Sequence, residues 1–502
     1  MGSKISIHDA GPGVSLEEDW ISNLPDHLLH HILSFVPAQY AVRTSALSRR
    51  WRHVWIGLPT YAFSDADTRS TAGFADSVDK VLVARSHHVD ALEISIRHPL
   101  HTSRANVWLR RAVERVRGSI SIVFPSNDDR SSAAPIVLDL PCGGRAQALS
   151  LSFSVAGIGT LRVSPSPASA AVSSSSLTEL ELKLVRLDGS SFSDFVSSCC
   201  PHLKKLHVHT FGDMDYLKLS NDALEDLSLQ FVTGGGLRQL QVSSRNLRRL
   251  SIANVFSSAV RPNEVHDGSK VASLRAPRLE YLSWPCSSTL HPSRVEFADS
   301  LATVRHLDVS LITHASVLHT YWFHNQLAVW LLQHCTGVRC LRVSLWNSAP
   351  APTQVLSILD EAVLAEYDDL MVEVPMLSNV TDLTVTTLLD HHEYGASIAK
   401  LLSRCNYVEM LTIVRRENEY YACANATMCW CKSPLDWRRQ KLQLQSLRQI
   451  YLRSFSTRLA AAGKRLAVAD NRLCDSDFVP KERLNRHLLC IPGRTRLASH
   501  CE

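Results

Sequence analysis

Hydrophobic positions in most of this chain follow one recurring pattern: an apolar residue, two variable residues, a leucine (isoleucine in the last copy), a variable residue and another apolar residue. The alternating part predicts a short β-strand with one buried face, and the preceding apolar residue is expected to anchor the turn that leads into the strand. Twelve strands are predicted from this pattern, with first anchors Val89, Ala146, Leu177, Leu203, Leu224, Leu247, Leu279, Val304, Val338, Val380, Val408 and Leu447.

The spacing of these copies is irregular. Neighbouring first anchors lie 21 residues apart at 203 and 224 but 42 residues apart at 338 and 380. Repeats of this length predict an array in which each unit packs on its neighbours. We therefore expect an α/β fold in which this part of the chain forms an irregular leucine-rich-repeat solenoid (horseshoe), and we expect helices in two of the longer insertions, 321–335 and 393–405.

A different pattern occupies residues 20–58, where apolar residues recur at helical spacing in three short stretches. Pro25 and Pro37 bound the first stretch. Proline is favoured in the first turn of a helix and ends a helix that it follows, so three short helices are expected. Three helices of this size bury too little surface to be stable alone, and we expect them to dock onto other protein.

This segment resembles the F-box of plant proteins. The resemblance rests on Asp19, Trp20, Ile21, Ser22, Leu24, Pro25, Asp26, His30, Ile32, Leu33, Ser34, Phe35, Ala41, Val42, Arg43, Thr44, Ser45, Leu47, Ser48, Arg50, Trp51 and Trp55. It implies an N-terminal three-helix unit that docks on a Skp-type adaptor and, through it, on the cullin scaffold of a ubiquitin ligase. Leu24, Pro25 and the outward members of the apolar stripe are favoured for this contact over residues that form the segment's own core. The residues expected to bind the adaptor are Leu24, Pro25, Leu28, Leu29, Ile32, Leu33, Val42, Leu47, Arg50, Trp51 and Trp55.

A second resemblance lies near the end of the repeats. Cys429, Cys431, Pro434 and Trp437, followed by apolar residues up to Phe455, resemble the FBD region at the C-terminal end of many plant F-box/leucine-rich-repeat proteins. The two cysteines leave a zinc site open, but their one-residue spacing differs from that of common zinc knuckles, and we expect no metal.

These features divide the chain into six segments. The tail lacks the repeat pattern, and it is either a specific extension or the result of an array that is cut short. Terminal units of a repeat array are usually atypical because they cap it. The predicted segments are a flexible N-terminus (1–19), the F-box (20–58), a lead-in and capping region (59–145), leucine-rich repeats (146–415), an FBD-like segment (416–457) and an atypical basic tail (458–502).

Charge is unevenly distributed among these segments. The 502 residues carry a formal net charge of +5. Residues 20–58 contain four arginines and one aspartate, which suits an acidic partner, and the tail contains nine basic and five acidic residues. The long segment 59–457 is left at +1, so we expect no nucleic acid to bind there.

Several classes of protein are excluded by composition. No apolar run approaches the roughly 20 residues of a membrane helix, and the N-terminus lacks the apolar core of a secretory signal. Thirteen cysteines are an odd count that fits a reduced protein of the cytoplasm or nucleus. Gly2 matches the pattern for N-myristoylation, a loose pattern that chance also produces, and one acyl chain alone gives no stable membrane attachment.

Three cysteines are in phase with the repeats. Cys200, Cys335 and Cys405 each precede a first anchor by three residues, so they are expected to be separated by at least one repeat and buried, rather than gathered around a metal.

The sequence contains no hydrolase, kinase, phosphate-loop or dinucleotide-binding motif, and we expect no catalytic residue and no cofactor. Our interpretation is a non-catalytic substrate-recognition subunit of an SCF-type cullin–RING ubiquitin ligase, which binds an unidentified target protein through its repeats. An interaction protein that uses the F-box outside a ligase, a repeat-based sensor of small molecules, and an enzyme remain the alternatives.

Overall fold

The computed structural model describes most of the chain between the N-terminal segment and the tail. The described residues are 21, 24–66, 71–83, 89–98, 100–124, 136–153, 159–163, 175–212, 214–234, 237–256, 270–285, 290–316, 322–346, 367–389, 394–417 and 444–455.

Helices dominate the first part of this region and occur singly further along. The described α-helices are α1 (Asp26–Ser34), α2 (Ala38–Arg43), α3 (Trp51–Val54), α4 (Thr71–Val83), α5 (Thr102–Arg115), α6 (Gly189–Asp194), α7 (Trp322–His334) and α8 (Gly395–Ser403). Short 3₁₀ turns extend α2 and α3, at Thr44–Ala46 and Trp55–Gly57.

Strands make up most of the remaining structure. They are β1 (Thr60–Ser64), β2 (Val89–Ser95), β3 (Val116–Val123), β4 (Val137–Leu140), β5 (Ala148–Ser152), β6 (Gly159–Val163), β7 (Glu179–Leu187), β8 (Lys205–Gly212), β9 (Tyr216–Ser220), β10 (Asp226–Gly234), β11 (Gln239–Ser243), β12 (Arg249–Ala253), β13 (Val271–Arg275), β14 (Tyr281–Trp284), β15 (Val295–Phe297), β16 (His306–Ile312), β17 (His314–Ser316), β18 (Cys340–Trp346), β19 (Tyr367–Asp369), β20 (Asp382–Leu389), β21 (Met410–Glu417) and β22 (Gln449–Phe455).

One long parallel sheet holds the chain together. Its order is β1-β2-β3-β5-β7-β8-β10-β12-β14-β16-β18-β20-β21-β22, with β4 and β6 attached beside β7. All twelve predicted copies lie on strands of this sheet, which confirms the strand prediction. The leucines are in register as well, since Leu206, Leu227 and Leu250 are direct partners in β8, β10 and β12. The fold is therefore mixed α/β, as expected.

A second parallel sheet, in the order β15-β13-β11-β9, was not predicted. Its strands fall between consecutive strands of the main sheet, in intervals such as that between the first anchors 203 and 224, only 21 residues apart. Two of these strands repeat the spacing of the main-sheet copies and bury the same face, with Met214, Leu217 and Leu219 at β9 and Leu237, Leu240 and Val242 at β11. The predicted helices in the longer insertions are confirmed as α7 and α8.

The main sheet begins earlier than the predicted repeats. β1 follows the helical N-terminal unit directly, and it pairs with β2 in parallel register from Thr60↔Ala91 to Ser64↔Ser95. One continuous cluster of buried apolar side chains runs from Leu29 in α1 to Leu447 before β22, so the helical unit and the repeats share a core.

The phased cysteines are buried, as predicted. Burial raises the pKa of each of the thiols of Cys200, Cys335 and Cys405 to about 12, which keeps them protonated. The expectation of reduced cysteines does not hold for another pair, because Cys142 and Cys199 form a disulfide with a Cα–Cα distance of 5.3 Å. These two residues are 57 positions apart in the sequence, and only the fold brings them together.

A candidate protein-docking site

The wide apolar stripe predicted for the first helix is divided between two environments. Leu29 and Leu33 of α1 are buried in the core, whereas Leu28 and Ile32 are exposed. A core on one side of a helix covers only part of a broad stripe, so its flank stays in contact with solvent. Phe35, which follows α1, is also exposed, at 76%.

We name Leu28, Ile32 and Phe35 the apolar ridge. They are spaced i, i+4 and i+7, which places them on one face along α1. Leu47, on the turn before α3, is 69% exposed, and Pro25 is exposed at the start of α1. Among the described residues, seven of the sixteen large exposed hydrophobic side chains lie within a short stretch, namely Ile21, Leu28, Ile32, Phe35, Val36, Tyr40 and Leu47. Such a concentration marks a surface for protein contact.

The other residues predicted to bind a partner support this surface from behind. Leu24 is half-buried against the core, and five of the predicted residues are buried within it: Leu29, Leu33, Val42, Trp51 and Trp55. In this structure these five side chains form the core of the helical unit, and the exposed residues are the ones that are accessible from solvent. Phe35 was not among the predicted contact residues, although its i+7 spacing from Leu28 was a usable signal.

Arg50 fixes the start of α1. Its guanidinium donates to the Asp26 carboxylate at 2.6 Å and also to the backbone carbonyl of Leu24. The hydrogen bond from Arg50 holds the pKa of Asp26 below its usual value. Both side chains are largely exposed, so the pair is worth little as an isolated ion pair. Its role is to position the exposed residues at the beginning of α1.

Two buried side chains attach the helical unit to the main sheet. The Gln39 amide of α2 donates from Nε2 to the Ser64 carbonyl at 2.8 Å, and its Oε1 accepts from the Ser64 N–H at 3.4 Å. The Tyr61 hydroxyl of β1 donates to the carbonyl of Trp55 at 2.8 Å, and burial raises its pKa. The helical unit is thus anchored on the first strand of the sheet.

The exposed face of the main sheet is a second surface on which a protein could bind. Its first half carries alternating charges on neighbouring strands, as shown by the 2.6 Å bond from Lys205 to Glu179. His207 approaches Asp226 at 3.5 Å, and this hydrogen-bonding partner raises the pKa of His207. These partly exposed pairs leave the face close to neutral.

Within the described ranges, no group of three or more His, Cys, Asp or Glu side chains is arranged to hold a metal ion. Cys429 and Cys431 of the FBD-like segment, Gly2 and the tail lie outside the described residues. No helix in the described part of the chain has the length and apolar character needed to span a membrane.

A helical unit with an exposed apolar ridge, packed on a parallel sheet built from repeats, is an arrangement typical of proteins that bind other proteins. Residues 21–62 match the F-box domain model, so the chain contains an F-box domain over the segment that forms this unit.

Relatives extend the comparison into the repeats. The chain is 26% identical over 321 residues to an F-box/FBD/LRR-repeat protein of Arabidopsis thaliana, covering 61% of this chain and 62% of the relative. A putative F-box/FBD/LRR-repeat protein of the same plant is 29% identical over 307 residues, covering 60% of this chain and 58% of the relative. An F-box protein of that plant is 34% identical over 121 residues, covering 24% and 36%. The chain thus spans less than two thirds of the length of these relatives. Both resemblances seen in the sequence, to the F-box and to the F-box/FBD/leucine-rich-repeat group, are confirmed.

Proposed function

We propose that this chain is the substrate-recognition subunit of an SCF-type cullin–RING ubiquitin ligase. Its F-box docks on a Skp-type adaptor through the apolar ridge, and its repeats, an irregular leucine-rich-repeat solenoid of horseshoe form, hold a target protein. The chain itself is non-catalytic and acts in the cytoplasm or nucleus by bringing the target close to the enzyme that carries ubiquitin. Proximity alone raises the effective concentration of the reacting groups.

The observation that carries the proposal is the apolar ridge, which is exposed although Leu29 and Leu33 of the same helix are packed in the core. Exposed leucine, isoleucine and phenylalanine on one helix face lose contact with water when a partner covers them, at about 25 cal/mol per Å² of buried apolar surface. The exposed arginines Arg43, Arg49, Arg50 and Arg52 of the same unit favour an acidic partner.

The test is the affinity of the purified full-length chain for a Skp-type adaptor, measured by isothermal titration calorimetry. Replacing Leu28 and Ile32 together by alanine removes exposed apolar contacts and leaves the core intact, so we expect binding to weaken about tenfold or more. The matched control replaces Val372 and Met376, which are exposed apolar residues outside the F-box, by alanine. This variant should bind the adaptor with the affinity of the wild type.

Adaptor binding by the wild type that is unaffected by the ridge variant would place the docking surface elsewhere. Absence of binding by folded wild-type protein would refute the proposal as a whole. Alanine at Leu29 or Trp51 would not distinguish these outcomes, because both side chains belong to the core and their loss unfolds the unit.

A further inference from the structure

Charged residues form a row along the edge of the main sheet where the chain enters its strands. The Glu280 N–H donates to the carbonyl of Arg248 at 2.9 Å, and the Arg305 N–H donates to the carbonyl of Glu280 at 2.8 Å. Arg339 continues the row, since its N–H donates to the carbonyl of Arg305 at 3.0 Å. Neighbouring strands lie about 4.8 Å apart, so side chains at these matched positions are close together.

An open cavity of about 450 Å³ lies on this edge. We name it the arginine pocket, and its lining residues are Arg248, Pro277, Arg278, Glu280, Thr303 and Arg305. Three guanidinium groups face one carboxylate, which gives the lining a net charge of +2. The whole segment 59–457 carries only +1, so the pocket is a local concentration of positive charge in a nearly neutral array.

Neighbouring repeats hold these arginines in place. Arg278 donates from Nη1 to the side-chain oxygen of Asn246 at 2.9 Å, and Arg305 donates from Nη1 to the carbonyl of Gly337 at 3.2 Å. Each of these bonds uses one nitrogen of a guanidinium group that has five N–H donors.

The acidic residue of the pocket neutralises it weakly. Arg248 approaches Glu280 only to 3.7 Å, and the two side chains are 56% and 54% exposed. Exposed ion pairs of this kind contribute little and exchange readily for a better partner. The arginines are therefore positioned in advance and able to take an anionic ligand.

We propose that the arginine pocket binds an oxyanion, a phosphate or carboxylate group, carried by an acidic segment of the target protein. The inference rests on the proposed function, since it assigns part of the target-binding surface. Guanidinium groups match both oxyanions with paired hydrogen bonds. The pocket is open to solvent and leaves room for the chain on either side of the group. One discrete pocket favours a peptide over a nucleic acid, which needs a longer basic surface.

The test is fluorescence anisotropy with the purified full-length chain and three labelled peptides of equal length, rich in phosphoserine, in aspartate and glutamate, or in serine. We expect the first two to bind, the serine peptide not to bind, and inorganic phosphate to compete. Whichever oxyanion peptide binds more tightly identifies the source of the group. Replacing Arg248 and Arg305 together by glutamine should weaken binding about tenfold or more.

Two controls separate a binding role from a structural one. Glu280→Gln removes the only carboxylate among the lining residues and should tighten peptide binding about threefold, which a merely structural role would not do. Arg238→Gln removes an exposed arginine that pairs with Asp215 outside the pocket, and it should leave the affinity for the peptides unchanged.

Equal binding of all three peptides, or binding unaffected by the double variant, would overturn the inference. An oligonucleotide that binds more tightly than the peptides and depends on the same arginines would overturn it too. Adaptor affinity is measured on the same preparations. Loss of peptide binding with adaptor binding intact counts against the pocket, whereas the reverse result counts against the proposed function.

Discussion

Gln39 links the F-box to the repeat array, and its replacement tests whether the two form one rigid unit. The side chain is 2% exposed, and its amide satisfies both the N–H and the carbonyl of Ser64. Ser64 ends β1, the outermost strand at this end of the described sheet, so the amide takes the place of a further strand. Gln39→Ala removes both bonds and leaves the paired backbone groups in a partly buried position.

The expected cost follows from these two bonds. A hydrogen bond contributes about 1 kcal/mol net, and leaving a buried backbone group without a partner costs about 1–3 kcal/mol. We therefore expect the free energy of local opening at α2 and β1 to fall by about 2 kcal/mol. Amide exchange that proceeds through this opening should then become about 30-fold faster.

The assay is hydrogen–deuterium exchange followed by mass spectrometry, which reports each peptide separately. Faster exchange should be confined to α1–α3 and β1, with β12 and later strands unchanged. Gln230→Ala makes the same truncation on an exposed side chain of β10 and serves as the matched control. If Gln39→Ala leaves exchange at β1 unchanged, or accelerates it no more than Gln230→Ala does, the link between the two parts does not depend on this amide.

Two further substitutions probe the packing of the array, each by its melting temperature in differential scanning fluorimetry. Gly337→Ala places a Cβ 2.1 Å from a backbone carbonyl oxygen of the preceding repeat and should lower the free energy of unfolding by about 1–3 kcal/mol. Its control, Gly73→Ala in α4, brings the new Cβ near only a flexible arginine side chain and should be tolerated. Equal shifts of the melting temperature for the two variants would refute this reasoning. Asp79→Ala removes the carboxylate that accepts from the buried Trp108 indole at 2.6 Å and should cost about 1–3 kcal/mol, while Asp76→Ala, at an exposed position, should cost far less. Similar melting points for the two aspartate variants would show that the indole bond adds no stability.

Twelve strands of the main sheet could be predicted because each of them carries its own signal. Alternation of apolar residues with a fixed anchor sets both the strand and the face that it buries, and the leucines of successive copies then pair in register. Two strands of the second sheet carry the same signal, although they were not predicted: Met214, Leu217 and Leu219 at β9, and Leu237, Leu240 and Val242 at β11, follow the spacing of the main-sheet copies. β15, in contrast, has three residues and does not follow the pattern, so its pairing with β13 could not be predicted.

For the docking site, the sequence located the segment but did not show which of its apolar residues are buried and which are exposed. Leu28 and Leu29 are adjacent and chemically identical, and only the packing of α2 and α3 against α1 decides which of them is buried. The sequence did not indicate that Gln39 is buried and hydrogen-bonded, because its partner Ser64 is 25 positions away. The arginine pocket could not be predicted from the sequence for the same reason, since Arg248 and Arg305 become neighbours only through the packing of successive repeats.

The shared core has a geometric consequence for the proposed function. From β1, on which the F-box is seated, to β12, which borders the arginine pocket, there are seven steps along the sheet. At about 4.8 Å per step, these strands span ~34 Å. Under the proposed function, the separation between the adaptor and the acidic segment of a target is thus set by the number of repeats rather than by a flexible linker. Weakening the Gln39 link should therefore impair ubiquitin transfer to a bound target more than it impairs binding of either partner, because only transfer depends on a fixed distance between the two.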